Sequence, residues 1–172
     1  YELNLHSSWT QNELEDSKIF PYVEDCIKNT DWFTNRKINK IIVNLVRSDD
    51  VHFIHGHNDC QVVLYYVNLD WQDGWYGETI FYDPDNINNI AYTTPYTPGR
   101  FILFDGNIPH TIRPLSIKAP KFRLSLSIFL KNNYDTPIPS VAPIVVAPLV
   151  LGAGAPLTLL IAEPPEPAPP PP

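Results

Sequence analysis

A chain of 172 residues whose last forty or so are proline-rich has room for one domain of roughly 130 residues, enough to bury a core. The net charge of −7 argues against a nucleic-acid substrate held through its phosphates. No apolar run reaches membrane-spanning length without interruption by proline, glycine or charge.

In chain order, the stretch Gln11 to Asn29 carries Leu14, Ile19, Phe20, Val23 and Ile27 at mostly helical spacing. Thr10 and Glu13 form a capping-box pattern at its start, and Pro21 breaks or restarts the helix. Strand-like runs then dominate: Ile38 to Arg47, Gln61 to Leu69, Glu78 to Tyr82, Asn89 to Thr93, Arg100 to Phe104 and Phe122 to Leu130, punctuated by Gly, Pro, Asn and Asp. The pattern predicts a mainly β domain, an antiparallel barrel with helical support at its start. From Thr136 to Pro172 proline and alanine prevail. Proline lacks a backbone donor and holds the chain near an extended polyproline form, so little of this tail is expected to join a sheet. The plain reading is a linker, although Val141 to Ile161 is apolar and almost chargeless, unlike a soluble linker.

Three residues carry the chemistry. His57 and Asp59 lie two apart beside a strand-like run, so in extended chain they point the same way and can grip one ion. His110 follows the strand-and-turn segment Gly99-Arg-Phe-Ile-Leu-Phe-Asp-Gly106 and reaches the same barrel from a neighbouring strand. Two imidazoles and one carboxylate suit a divalent iron with open positions left over. His55-Gly-His57 is also a same-face pair, which makes His55 the runner-up ligand; His57 is preferred because an aspartate follows it. Cys60 reads as a small buried thiol rather than a ligand, and Cys26 and Cys60 form no metal pattern.

After Asp59 come Val62-Val-Leu-Tyr-Tyr-Val-Asn68, Asp70-Trp71, Gly77-Glu-Thr-Ile-Phe81, Gly99-Arg100, Pro109-His110 and Arg123-Leu-Ser125. Over residues 38 to 131 this order resembles the iron(II) and 2-oxoglutarate-dependent dioxygenases, and among them the prolyl 4-hydroxylase-like group. The resemblance implies a double-stranded β-helix (jelly-roll or cupin-like barrel), with a dioxygenase domain over 1–135, its helical part near 10–30 and its barrel near 38–131, and a tail over 136–172. It implies iron on His57, Asp59 and His110, with 2-oxoglutarate and O2 as co-substrates and ascorbate as a further candidate cofactor. Arg123 would take the far carboxylate of 2-oxoglutarate in its planar fork, with Tyr66 and Ser125 adding hydroxyls. In Phe122 to Leu130 the chain itself agrees, since Arg123, Ser125 and Ser127 share one face and Phe122, Leu124, Leu126 and Ile128 the other.

Each residue also has a plainer role. Arg123 could be a surface charge on an edge strand, and Tyr65 and Tyr66 core aromatics of which at most one enters the site. Trp71, Trp75 and Tyr76 suit a substrate rim or a barrel plug equally well. Relatives often carry two glycines where this chain has Tyr76-Gly77, so the substrate wall is expected to differ.

The implied reaction is hydroxylation of an unactivated C–H bond, with succinate and CO2 as co-products, on a prolyl residue of a peptide or protein. The proline-rich tail of this chain or a neighbour is a candidate substrate or pseudo-substrate. The alternatives are a free amino acid or small-molecule substrate, or a non-catalytic barrel with an interaction tail. Two thiols in an iron enzyme imply a reducing, cytoplasmic setting. The chain opens on Tyr1 and contains no methionine, which points to a trimmed start or a fragment, so a targeting segment would not be visible.

Overall fold

The computed structural model describes residues 7–9, 11–18, 20–21, 24, 36–132, 144–148 and 160–162. Among the described residues the elements follow in the order β1 (Ser7–Trp9), α1 (Gln11–Glu15), β2 (Arg36–Val46), β3 (Gln61–Tyr66), β4 (Thr79–Tyr82), β5 (Ile90–Thr94), β6 (Arg100–Asp105), β7 (His110–Ile112), β8 (Arg123–Asn132), β9 (Ile144–Pro148) and β10 (Leu160–Ala162). All recorded pairings are antiparallel. They form a large sheet in the order β1-β2-β8-β3-β6-β9-β10 and a small one in the order β5-β4-β7, an arrangement compatible with a β-sandwich.

The centre of the large sheet is β3, whose Gln-Val-Val-Leu-Tyr-Tyr is rich in β-branched and aromatic side chains and buried on both faces but for Tyr65. Val62, Leu64 and Tyr66 lie opposite Phe129, Ser127 and Ser125 of β8, so these residues share one face. Against that face sits the small sheet: the Phe81 and Phe104 rings meet at 5.0 Å, and the Tyr66 hydroxyl lies 2.7 Å from that of Thr79. Cys60, Val62, Leu64, Tyr66, Phe81, Tyr96, Ile102, Phe104 and Phe129 thus form the core between the sheets. The opposite face, with Val63, Leu103, Leu126 and Ile128, is also buried. The expected division of β8 into a polar and an apolar side is present, but both sides are inside.

Two expectations change. A continuous helix over Gln11 to Asn29 is replaced by helical Gln11–Glu15, turns and bends at Asp16 to Lys18, and helical backbone again at Phe20, Pro21 and Glu24, so the interruption expected near Pro21 falls just before it. Asp16 and Ser17 have side chains that compete for backbone hydrogen bonds, which disfavours a helix interior. Thr10 and most of residues 19–30 lie outside the described residues. The tail changes more. Ile144–Pro148 pairs with β6, with Val145 opposite Leu103 and Pro148 opposite Arg100, and β10 pairs in turn with β9. Ile144, Val145 and Val146 are β-branched and free of proline, and Pro148 falls at the strand's end, where a missing N–H costs little. Residues 133–143, 149–159 and 163–172 lie outside the described residues. Among the described residues no helix is long and apolar enough to cross a membrane.

Candidate metal centre and buried guanidinium

Between β2 and β3 the chain passes the small sheet in extended form. His55 bridges antiparallel to His110, its N–H donating to the His110 carbonyl at 3.0 Å and its own carbonyl accepting at 2.9 Å. Thr111 adds a hydroxyl donation to the His52 carbonyl at 2.8 Å. His57 is fixed next, donating its N–H to the Gly106 carbonyl at 2.6 Å. A side chain at position 106 would collide with the His57 carbonyl and meet the Cys60 sulfur at 2.8 Å, so only glycine lets the two segments approach this closely.

The outcome is a cluster of His55, His57 and His110 whose ligand atoms all lie within 4.8 Å of one another. Their ring centres are 4.6 Å (55 to 110), 5.0 Å (55 to 57) and 5.0 Å (57 to 110) apart. Metal–nitrogen bonds of about 2.1 Å hold ligand nitrogens roughly 3–4 Å apart, so small side-chain rotations close the set. His110 Nδ1 lies 2.8 Å from the Ile108 carbonyl and His55 Nδ1 3.0 Å from that of Phe53. A carbonyl only accepts, so both Nδ1 atoms carry the proton in these bonds and leave Nε2 as the ligand atom.

Burial keeps two of the rings neutral. It pushes His110, packed among Phe81 and Phe104, down to about 3, and His57 down to about 4, with His55 adding charge repulsion in both cases. Neutral imidazole is the metal-binding form. The unfolded chain, with histidines near their usual value of about 6.5, binds more protons than the fold between that pH and the lowered values. The metal-free protein is therefore expected to be fully stabilised by these rings above about pH 6.5 and to lose stability as pH falls toward 4 and below. His110 contributes up to about 1.4 kcal/mol per pH unit, and half-exposed His57 less because solvent screens it. Urea midpoints from pH 7 to 4 measure this, and a flat profile would contradict the burial of His110.

Asp59 is not part of the cluster. It is exposed and lies in the turn Asn58–Asp59 with φ of 54°, a left-handed backbone, so strand alternation does not carry from His57 to Asp59. The alternation holds instead from His55 to His57. The strongest sign in the sequence was the His55-Gly-His57 spacing, which the aspartate outweighed. Burial raises the Cys60 thiol to about 11, which keeps it protonated and poor as a ligand.

Arg123 lies at the start of β8 and is completely buried, at 0% exposure. Its Nε donates to the Gly77 carbonyl at 2.9 Å, Nη1 to Ser125 Oγ at 3.3 Å and Nη2 to Thr79 Oγ1 at 3.3 Å. The guanidinium carbon is 5.0 Å from the Tyr66 ring centre and 4.7 Å from that of Tyr96. No carboxylate pairs with it among the described residues. Desolvation lowers its pKa, the direction a buried cation takes, while the two tyrosines favour the charge. A guanidinium has five N–H groups, of which these bonds engage three. The Tyr66 hydroxyl lies 2.7 Å from Thr79 Oγ1 and also bonds to the guanidinium, while Tyr65 stacks on Phe101 instead.

Gly77 makes room for this. Its φ is 82°, and a Cβ there would meet Leu115 at 2.7 Å and Arg123 Cδ at 3.2 Å. Tyr76 has φ of 63° beside it, a backbone that glycine prefers, and its ring lies 3.7 Å from the Arg113 guanidinium. Trp71 packs on Tyr96 at 4.4 Å and on Trp75 at 5.6 Å, and its Nε1 donates to the Tyr76 carbonyl at 3.0 Å. All three aromatics sit at the Arg123 end. Just before the histidines in the chain, Val51, Phe53 and Ile54 are exposed at 69%, 78% and 40%.

β4 links the two features. Thr79 touches Arg123, and Phe81, two residues on, stands opposite His110. No family model and no curated protein matches this chain.

Proposed function

We propose that this chain is an iron(II) and 2-oxoglutarate-dependent dioxygenase built on a double-stranded β-helix. The observation that carries the reading is a three-imidazole cluster that shares β4 with a buried guanidinium, which no carboxylate pairs with among the described residues. The path of the chain supports the barrel. β2 lies in the large sheet, the His55 bridge in the small one, β3 in the large, β4 and β5 in the small, β6 in the large, β7 in the small and β8 in the large. That alternation is how a jelly roll closes.

The donor set suits the metal. Imidazoles bind iron, zinc, manganese or cobalt, and His55, His57 and His110 would hold it, with His55 in the role first given to Asp59. Bound iron with 2-oxoglutarate supplies the oxidising power for hydroxylating an unactivated C–H bond. The chain's own residues bind and orient. Arg123 neutralises the far carboxylate in a site closed to water, with Ser125, Thr79 and Tyr66 around it. The two-residue step along β4 from Thr79 to Phe81 spans about 7 Å, comparable with the reach of a five-carbon diacid. Exposed Val51 and Phe53, just before the histidines in the chain, suit an apolar or prolyl side chain, and the proline-rich residues 136–172 are one candidate source.

The test is turnover. Protein loaded with ferrous ion under exclusion of air, then given oxygen and 2-oxoglutarate, is expected to yield succinate by NMR, with faster conversion when a substrate from a panel of proline peptides and free amino acids fits. Ferrous ion bound without any conversion of 2-oxoglutarate across that panel would overturn the reading.

A further inference from the structure

Thr94 closes β5 at 0% exposure, and its hydroxyl has no hydrogen-bond partner among the described residues. Buried hydroxyls almost always find one, so an orphan calls for a partner that the protein groups around it do not supply. Its neighbours say what. Thr94 stands directly opposite Thr79, and residues so paired project to the same face with Cβ atoms about 5 Å apart. Thr79 holds Arg123 Nη2. Two residues after Thr94 comes Tyr96, whose ring lies 4.7 Å from the guanidinium carbon and whose hydroxyl is occupied by the Leu124 carbonyl at 2.6 Å and Asn68 at 2.7 Å. The unused hydroxyl is therefore flanked by the two side chains that frame the buried guanidinium, which no carboxylate pairs with among the described residues.

We infer that Thr94 is a binding residue of the Arg123 site, donating its hydroxyl to an oxygen of the carboxylate that the guanidinium takes. The site is then an anion pocket with donors from β8 and β5, made for the end of a small dicarboxylate. This rests on the reading of Arg123 given above, and the test separates the two.

Calorimetric titration with glutarate, which lacks the keto oxygen that a metal would chelate, reports the Arg123 end alone. Titration with 2-oxoglutarate with and without manganese(II) reports both ends. Thr94→Val, nearly the same shape, is expected to weaken both ligands about tenfold, while Thr94→Ser stays within about threefold of wild type. Without ligand, Thr94→Val is expected to melt at or above the wild-type temperature, because it removes a buried hydroxyl that no group among the described residues satisfies. A purely structural hydroxyl would give the reverse: unchanged affinity and a lower melting temperature. Either of those results overturns the role of Thr94 and leaves the oxygenase reading intact. Glutarate binding that depends on Thr94, with no gain for 2-oxoglutarate from manganese, supports Thr94 and overturns the oxygenase. If no dicarboxylate binds wild type, both fall.

Discussion

His110→Ala is expected to lower the affinity for manganese(II) or ferrous ion by on the order of 100-fold or more, whereas Asp59→Ala leaves it within about threefold. The contrast follows from position. His110 sits buried among aromatic rings with Nδ1 tied to the Ile108 carbonyl, so its Nε2 is oriented before any metal arrives. Asp59 is exposed on a left-handed turn outside the cluster. His55→Ala is expected to fall with His110→Ala, because His55 completes the trio. Titrations followed by electron paramagnetic resonance of manganese(II), run well below the melting temperature, check all three variants. If Asp59→Ala proves as damaging as His110→Ala, the carboxylate is a ligand and the turn rearranges to deliver it.

Arg123 is expected to give the second large effect, in two parts. Arg123→Ala removes the largest fully buried side chain and leaves the Gly77 carbonyl without its donor, which together cost about 3–5 kcal/mol of stability. Arg123→Lys keeps a cation near the Tyr66 and Tyr96 rings but loses the planar fork. It is expected to fold and to bind 2-oxoglutarate at least tenfold more weakly. Wild type at a hundredfold excess of ligand over its dissociation constant gains about 2.7 kcal/mol, visible as a raised melting temperature that the lysine variant lacks. An equal thermal response in Arg123→Lys would place the carboxylate elsewhere.

The strands were legible because their residues state their own surroundings. In Gln61 to Tyr66 apolar and aromatic residues fill every position but the first, as a strand buried on both faces requires, and in β8 the alternation of Arg123, Ser125 and Ser127 with Leu124, Leu126 and Ile128 survives in the structure. Arg123 and Tyr66 lie near one another because both occupy inward positions of paired strands. The ligand set was harder. Period-two spacing offered both His55 with His57 and His57 with Asp59, and only the backbone decides, since the chain is extended at 55 and turned at 59. Thr94 and Tyr96 were invisible for a different reason. Their contact with the Arg123 site depends on β5 lying beside β4, a long-range pairing that local pattern does not encode. The tail misled through composition: its many prolines masked the short run Ile144 to Ala147, which has none.

That run has a consequence for solubility. β6 is an almost wholly buried strand, Arg-Phe-Ile-Leu-Phe-Asp, whose one flank is taken by β3 and whose other flank is occupied by β9. A chain shortened to residue 132 would lay bare a row of unpaired amides and carbonyls beside Phe101 and Leu103, a template on which other molecules can add strands. Such a protein should keep its histidine cluster and guanidinium yet self-associate with rising concentration. Ile144–Pro148 then works as a selvedge for the fabric of the domain.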